Sequence, residues 1–401
     1  MIQIFKMAYR ALERNRRRSI FSAMAVALAL MVLILSSSFL RAEFEDSLDL
    51  SIRLQSGHLQ VRSMDYNENK TSLKWNTLLE NPDQLAANIA GMEQVRVATP
   101  RLYASGFISI KKKSVGARIF GIDPLSEANA PYRDGLISGE WLTPEDRTGI
   151  LIGKPSAEKL GLKAGDQVSL SLNTSNGDID EQLFTIRGIY STDTNSFDNL
   201  VIFMPLTKLQ AIVQAENHAS AIFILLKDMN QTDTVATALP TNFKILTYIQ
   251  MNDMMVQVET MAKSYMVFMY LIVLAIAATV IVNTLIMSVF ERTREIGILS
   301  AIGMRSGRIM AIFLAETSLI AAGGILIGVV LGVIAASNFS FYVGNFGMTG
   351  VTIGNTIHAK LNFIDVINMS IMTFVTTVLA GLYPSLLAAR LEPVQALRAE
   401  K

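Results

Sequence analysis

The 401-residue chain has three histidines, at positions 58, 218 and 358, and no cysteine. Imidazole and thiol chemistry needs such residues grouped, and here they are far apart or missing, so the chain shows no nucleophile–base pair and no metal-ligand cluster. A phosphate-binding loop of the form G-x-x-x-x-G-K-[ST] is also missing: Gly153-Lys154 is followed by Pro155 and lacks the upstream glycine. No H-E-x-x-H occurs. The acidic residues Asp123, Glu140 and Asp166 stand beside turn formers, where carboxylates usually serve the turn. The chain is therefore expected to be non-catalytic, to hold no metal or cofactor of its own, and not to hydrolyse ATP alone.

Patterned charge is concentrated in Phe290-Glu291-Arg292-Thr293-Arg294-Glu295-Ile296-Gly297-Ile298-Leu299-Ser300-Ala301-Ile302-Gly303-Met304-Arg305. A long apolar run ends where this stretch begins, and another starts after Arg308. At helical spacing Ile296, Leu299 and Ile302 are read as one side, with Arg292, Glu295 and Arg305 off it. A loop that only reversed the chain would need a few polar residues and a glycine. A patterned helix is built to touch something. The pattern alone leaves two partners open: another protein, or the lipid interface, with the arginines snorkelling.

The elements that position this stretch are apolar runs long enough to cross a bilayer, which takes about 20 residues. They cover 19–40, 265–290, 309–336 and 363–389. The first is also weighed as a signal peptide, but its apolar core is long and no A-x-A-like site precedes Arg41. The third carries Gly324, Gly328 and Gly332 at four-residue spacing, which lets membrane helices approach closely. Pro384 is expected to kink the fourth. The spans are nearly free of ionisable residues. Glu316 is the exception, and an arginine nearby is its expected partner.

Basic flanks set the orientation. Lys6, Arg10, Arg14, Arg16, Arg17 and Arg18 precede the first span. Arg292, Arg294, Arg305 and Arg308 follow the second. Arg390, Arg398 and Lys401 follow the fourth, whereas the 337–362 loop carries only Lys360. Both termini and the 291–308 segment are thus expected in the cytoplasm, and 41–264 outside it. Residues 1–18 form a basic amphipathic helix suited to an anionic leaflet, or a topology signal, or both. Overall charge is nearly balanced, 35 basic against 34 acidic residues, so nucleic acid is not an expected partner.

The fold class expected is a membrane protein with four transmembrane α-helices and a large extracytoplasmic α+β domain between the first and second. Within 41–264, strands are expected at 57–62, 101–111, 115–122, 150–153, 167–172, 183–190, 200–204, 221–226 and 243–247. Helices are expected at 82–92, 155–160, 205–213 and 232–239, the first three opening on proline. Residues 41–48 and 248–264 read as helical stalks. Met251, Met254, Met255 and Met261 on the second stalk are either ordinary packing or an adaptable apolar lip. The remaining segments are the 291–308 cytoplasmic helix, the short external loop 337–362 and the cytoplasmic tail 390–401.

Two motifs resemble those of the FtsX-like permeases of ABC transporters, the group that includes MacB-type exporters and the LolC/LolE lipoprotein-releasing proteins. One is Glu291 to Gly303. The other is Ala388-Ala389-Arg390-Leu391-Glu392-Pro393-Val394-Gln395-Ala396-Leu397-Arg398. The layout, one span, a large external domain and three more spans, is similar too. Ser56-Gly57-His58-Leu59-Gln60-Val61, Gly121-Ile122-Asp123-Pro124, Leu151-Ile152-Gly153 and Leu160-Gly161-Leu162-Lys163-Ala164-Gly165-Asp166 look closest to the lipoprotein-releasing branch. The resemblance implies a permease subunit in the bacterial inner membrane, paired with a second permease chain as homo- or heterodimer. Two copies of a separate ABC ATPase would bind ATP and Mg beneath them. Glu291, Arg292, Arg294, Glu295, Ile296, Gly297, Ile298, Leu299, Ala301 and Gly303 would form the helix that couples to that ATPase. The cargo implied is a lipoprotein or other hydrophobic molecule on the outer side, with a periplasmic carrier or adaptor as a further partner. Two alternatives stand beside it: an FtsX-like mechanical regulator of a periplasmic partner, and MacB-type efflux of drugs or peptides.

Overall fold

The computed structural model describes residues 2–67, 73–111, 113–342 and 356–391. The chain divides into two compact units, one helical and one built on a sheet. The second half of the C-terminal motif, Glu392 to Arg398, lies outside the described residues.

The first unit is built from α1 (Ile2–Arg14), α2 (Arg16–Ser51), α3 (Asp253–Glu291), α4 (Thr293–Ala301), α5 (Ser306–Asn338) and α6 (Phe363–Ala389), with α2 from Phe44 and α3 up to Val258 counted in the second unit. Four of them, α2, α3, α5 and α6, are long and apolar enough to cross a membrane. Three outrun the apolar stretches read from the sequence, because their polar ends hold no proline and, apart from Gly307 in the first turn of α5, no glycine. The helical run that begins with α2 ends only at Gly57, after a wide turn over Ile52–Ser56. Gly57 has φ 65 and ψ −177, a conformation open essentially to glycine alone. A Cβ there would also meet the carbonyl oxygen of Ile224 at 2.7 Å. The 248–264 stalk is two pieces: a short helix Tyr248–Met251, closed by a Thr247/Gln250 capping box, and then α3 after Asn252. α6 runs through Pro384 to Ala389.

Small residues bring α5 against α2. A Cβ on Gly324 would lie 2.7 Å from the Ala23 carbonyl oxygen, one on Gly328 2.8 Å from that of Ala27, and one on Gly332 3.0 Å from the Ile34 side chain. All three glycines thus face α2, where any side chain would push the helices apart. Polar contacts add register. Ser22 donates to Thr284 of α3 at 3.0 Å, and Arg41 bonds Asp365 of α6 at 2.7 Å.

The second unit is organised by a ten-stranded mixed sheet. Its strands are β1 (Leu59–Arg62), β2 (Val95–Ile110), β3 (Lys113–Ile122), β4 (Leu136–Gly139), β5 (Gly149–Gly153), β6 (Gln167–Asn173), β7 (Ile179–Tyr190), β8 (Val201–Pro205), β9 (Ala221–Leu226) and β10 (Lys244–Thr247). The order is β10-β1-β9-β2-β3-β8-β5-β7-β4, with β6 pairing both β2 and β7. β3–β8 and β5–β7 are parallel, and the other pairs are antiparallel. β2 starts six residues before the expected strand. Pro100 breaks its sequence pattern, but pairing with β9 holds the segment extended, with Pro100 opposite Ile222. β4 is a strand that the sequence does not announce. Phe120, Phe184, Phe203, Phe223, Tyr132 and Tyr190 are the large fully buried rings of this unit. Asp123, Glu140 and Asp166 all have structural partners: Asp123 accepts from Leu125 N at 3.0 Å, Glu140 pairs with Arg187 at 2.9 Å, and Asp166 accepts from Lys163 N at 2.7 Å.

Candidate coupling site

α4 is set off from α3 by Arg292, whose backbone (φ −107, ψ 14) leaves the helical region. Thr293 stitches the break by donating its hydroxyl to the carbonyls of Val289 and Phe290. At the other end Gly303 adopts φ 93, the left-handed conformation that stops a helix, and Met304 N bonds back to Leu299 O at 3.0 Å.

The apolar positions of α4 do not form one side. Ile296 is 3% exposed and roots the helix among Val289, Ile309, Phe313 and Ala388. Gly297 is buried and Leu299 half-buried. Ile298 is 45% and Ile302 79% exposed. Six residues turn a helix by about one and two-thirds revolutions, so Ile302 cannot share a face with Ile296, whereas Ile298 and Ile302, four apart, do share one. The outward face therefore carries Ile298 and Ile302 with exposed Arg294, Ala301 and Arg305 around them.

The charges on the inner side are satisfied within the chain. Arg14 of α1 makes a bidentate pair with Glu295, Nη1 to Oε1 at 2.6 Å and Nη2 to Oε2 at 2.9 Å. Arg292 donates from Nε to Glu295 at 3.3 Å and from Nη1 to Glu316 of α5 at 3.2 Å. Arg18 forks onto Glu291 at 2.8 and 2.6 Å. A line of alternating charge, Arg14–Glu295–Arg292–Glu316, thus joins three helices. Glu316 is 4% exposed, and Arg292 answers a charge that would otherwise be costly to bury. The hydrogen bonds from Arg14 hold the Glu295 carboxyl below the usual carboxylate range, with Arg292 assisting, and the same contact raises Arg14.

The helix that was expected to couple to a partner is thereby placed residue by residue. Glu291, Arg292 and Glu295 face partners in their own chain, Ile296 and Gly297 face inward, and Arg294, Ile298, Ala301 and Gly303 are accessible. Arg14 and Arg18 are the residues that sequence reasoning missed, since it assigned them to the leaflet or to topology. A signal was there: two bases four apart match two acids four apart, Glu291 and Glu295. Among the described residues no three His, Asp or Glu side chains gather into a metal-holding group.

The chain matches two family models: the MacB-like periplasmic core domain over residues 19–241, and the FtsX-like permease C-terminal domain over residues 267–393. It is 23% identical over 395 residues to the lipoprotein-releasing system transmembrane protein LolE of Haemophilus influenzae, covering 94% of this chain and 93% of that one. LolC of the same organism is 26% identical over 299 residues, 71% of this chain and 72% of its own. The macrolide export ATP-binding/permease protein MacB of Neisseria meningitidis is 25% identical over 323 residues, 77% of this chain and 48% of that protein. The solved periplasmic region of MacB from Actinobacillus actinomycetemcomitans aligns with a TM-score of 0.36 and 13% identity, over 52% of this chain and 96% of that one, a likeness too low to add to the sequence matches. Four apolar helices, a sheet domain between the first and second, and two adjoining family matches over most of the length lead to one assignment: the chain belongs to the FtsX-like, MacB-like family and is a multi-pass ABC transporter permease of the LolC, LolE and MacB type.

Proposed function

We propose that this permease receives the motion of a separate ABC ATPase through α4 and passes it to its MacB-like domain, to move a lipoprotein or other hydrophobic cargo from the outer side of the bacterial inner membrane. In this reading both termini and α4 are cytoplasmic, and the sheet domain is periplasmic, as the basic flanks favour. ATP and Mg are bound by the ATPase. Two permease chains and two ATPase copies form the working unit. The names of the relatives, lipoprotein-releasing proteins among them, support the choice of cargo.

The observation that carries the reading is the division of α4. Its inner side is closed by Ile296 and by ion pairs to α1 and α5, while two isoleucines face outward inside a ring of exposed polar and basic residues. An apolar centre with a polar rim is the form of a protein-binding anchor. Ile298→Asp and Ile302→Asp, tested by co-expression with the permease's cognate ABC ATPase, should abolish co-purification. Losing a central anchor costs about 2 kcal/mol or more. The permease itself should insert and fold normally. Full recovery of the ATPase with both variants would leave α4 a lipid-interface helix and sink the proposal.

A further inference from the structure

A second polar constellation lies on one face of the sheet. Strand alternation puts Gln60 and Arg62 of β1, Thr99, Arg101 and Tyr103 of β2, and Arg118 and Phe120 of β3 on that face. The register agrees: Gln60 lies opposite Phe223, Phe223 opposite Thr99, and Tyr103 opposite Phe120. Three guanidinium groups therefore share it. Arg101 is 0% exposed, and the partners its guanidinium meets are uncharged: the Leu54 carbonyl at 3.3 Å, the Asn129 amide oxygen at 3.2 Å, the Phe223 ring at 3.6 Å and the Tyr132 ring at 5.8 Å. Thr99 Oγ1, Arg101 Nε and the Tyr103 hydroxyl, on alternate residues of one strand, are buried with no hydrogen-bond partner among the described residues. Buried polar atoms are seldom left so, and three in a row mark a place where something polar belongs.

Next to them is a cavity of about 280 Å³, lined among others by Ser56, Gln60, Arg62, Tyr103, Arg118 and Asn252. Among the described residues of its lining there is no aspartate or glutamate. Gln60 holds the Arg62 guanidinium in place, accepting from Nε at 3.0 Å and Nη2 at 2.7 Å. Arg118 lies with its guanidinium carbon 5.5 Å from the centre of the Phe120 ring. A cavity with two guanidinium groups, no acid among its described lining residues and Tyr103 in its wall favours an anion, and guanidinium forks match phosphate oxygens. The space exceeds the roughly 150 Å³ that accommodates benzene, so it admits more than a bare ion.

We propose that this cavity binds a small phosphate monoester of glycerol-phosphate type, Arg118 and Arg62 taking the phosphate and Ser56, Gln60 and Asn252 the polar remainder. Two guanidiniums answer the nearly doubly charged monoester. The ligand comes either from solution or as the headgroup of a phosphatidic-acid-type lipid. Its position matters because Ser51, Ser56 and Asn252 sit where the chain enters and leaves this unit. Ser51 donates to Asn252, which donates to Ser56 at 3.4 Å. A ligand reaching from Arg118 to Asn252 braces this junction against the sheet.

The test uses the full chain in phosphatidylcholine nanodiscs, titrated calorimetrically with sn-glycerol 3-phosphate. Saturable one-site binding is expected, with a raised melting temperature at saturation. Arg118→Gln should weaken it ten-fold or more and Tyr103→Phe several-fold, while Arg147→Gln on the exposed surface leaves it unchanged. Nanodiscs containing phosphatidic acid separate the sources: weaker apparent binding of the soluble ester identifies the lipid headgroup, and unchanged binding identifies the soluble ester. No saturable binding in phosphatidylcholine nanodiscs, or wild-type affinity in Arg118→Gln, would overturn the proposal.

Discussion

At the scale of residues, the site depends on which charges are already used. Glu295 has the pattern of a partner-binding carboxylate, but Arg14 and Arg292 occupy it within the chain. Glu295→Lys would therefore leave Arg14 without its carboxylate and set a cation beside Arg292, as well as disturb any partner contact, so Ile298 and Ile302 are the cleaner probes of docking. Arg14 and Glu295 are both about half exposed, which holds their pairing to the range of surface ion pairs despite the bidentate geometry. A double-mutant cycle with Arg14→Ala and Glu295→Ala should give a coupling of about 0.5–1 kcal/mol in chemical unfolding at neutral pH. The folded Glu295 carboxyl lies below its usual range, so this contribution is fully present above the ordinary carboxylate pKa of about 4.3 and disappears as pH falls through the lowered value. A coupling that fades already between pH 7 and 5 would contradict the pairing.

At the scale of elements, close approach of α5 to α2 is a property of three glycines. In Gly328→Ala the new Cβ would lie 2.8 Å from the Ala27 carbonyl oxygen and 3.0 Å from its Cα, and neither backbone atom can swing aside. Overpacking of this kind costs about 1–3 kcal/mol, which should appear as a lower melting temperature in detergent. Gly323→Ala is the matched control. A Cβ there meets nothing within 4 Å, and alanine is the better helix former, so stability should hold or rise slightly. Equal behaviour of the two variants would mean that the glycines do not set the helix contact.

At the scale of the whole molecule, the layout places a sheet domain between the first and second of four apolar helices, and α4 between the second and third. Orientation can be read with an impermeant thiol reagent, because the chain has no cysteine of its own. Asp178→Cys, on an exposed turn of the sheet domain, should label from outside the cell. Ser306→Cys, exposed at the start of α5, should label only after the membrane is opened. The reverse pattern would place α4 on the periplasmic side and remove it from reach of an ATPase.

The sequence by itself determined the features that local rules govern. Run length and hydropathy show four membrane-long helices, and strand alternation shows most of the sheet; that Gly57 and Gly303 end helical runs with positive φ appears only in the structure. It located the charged helix between the second and third spans and showed a small-residue face on α5, since both are periodic along a single segment. What α5 packs against was decided by the tertiary structure. So was the division of α4 into a rooted and an outward side, because the burial of Ile296 depends on Ile309, Phe313 and Ala388. The pairing of Arg14 with Glu295 spans 281 residues, and the basic cavity assembles residues from 51 to 252. Such contacts have no sequence period. They form only when separate elements pack, and their chemistry appears with that packing.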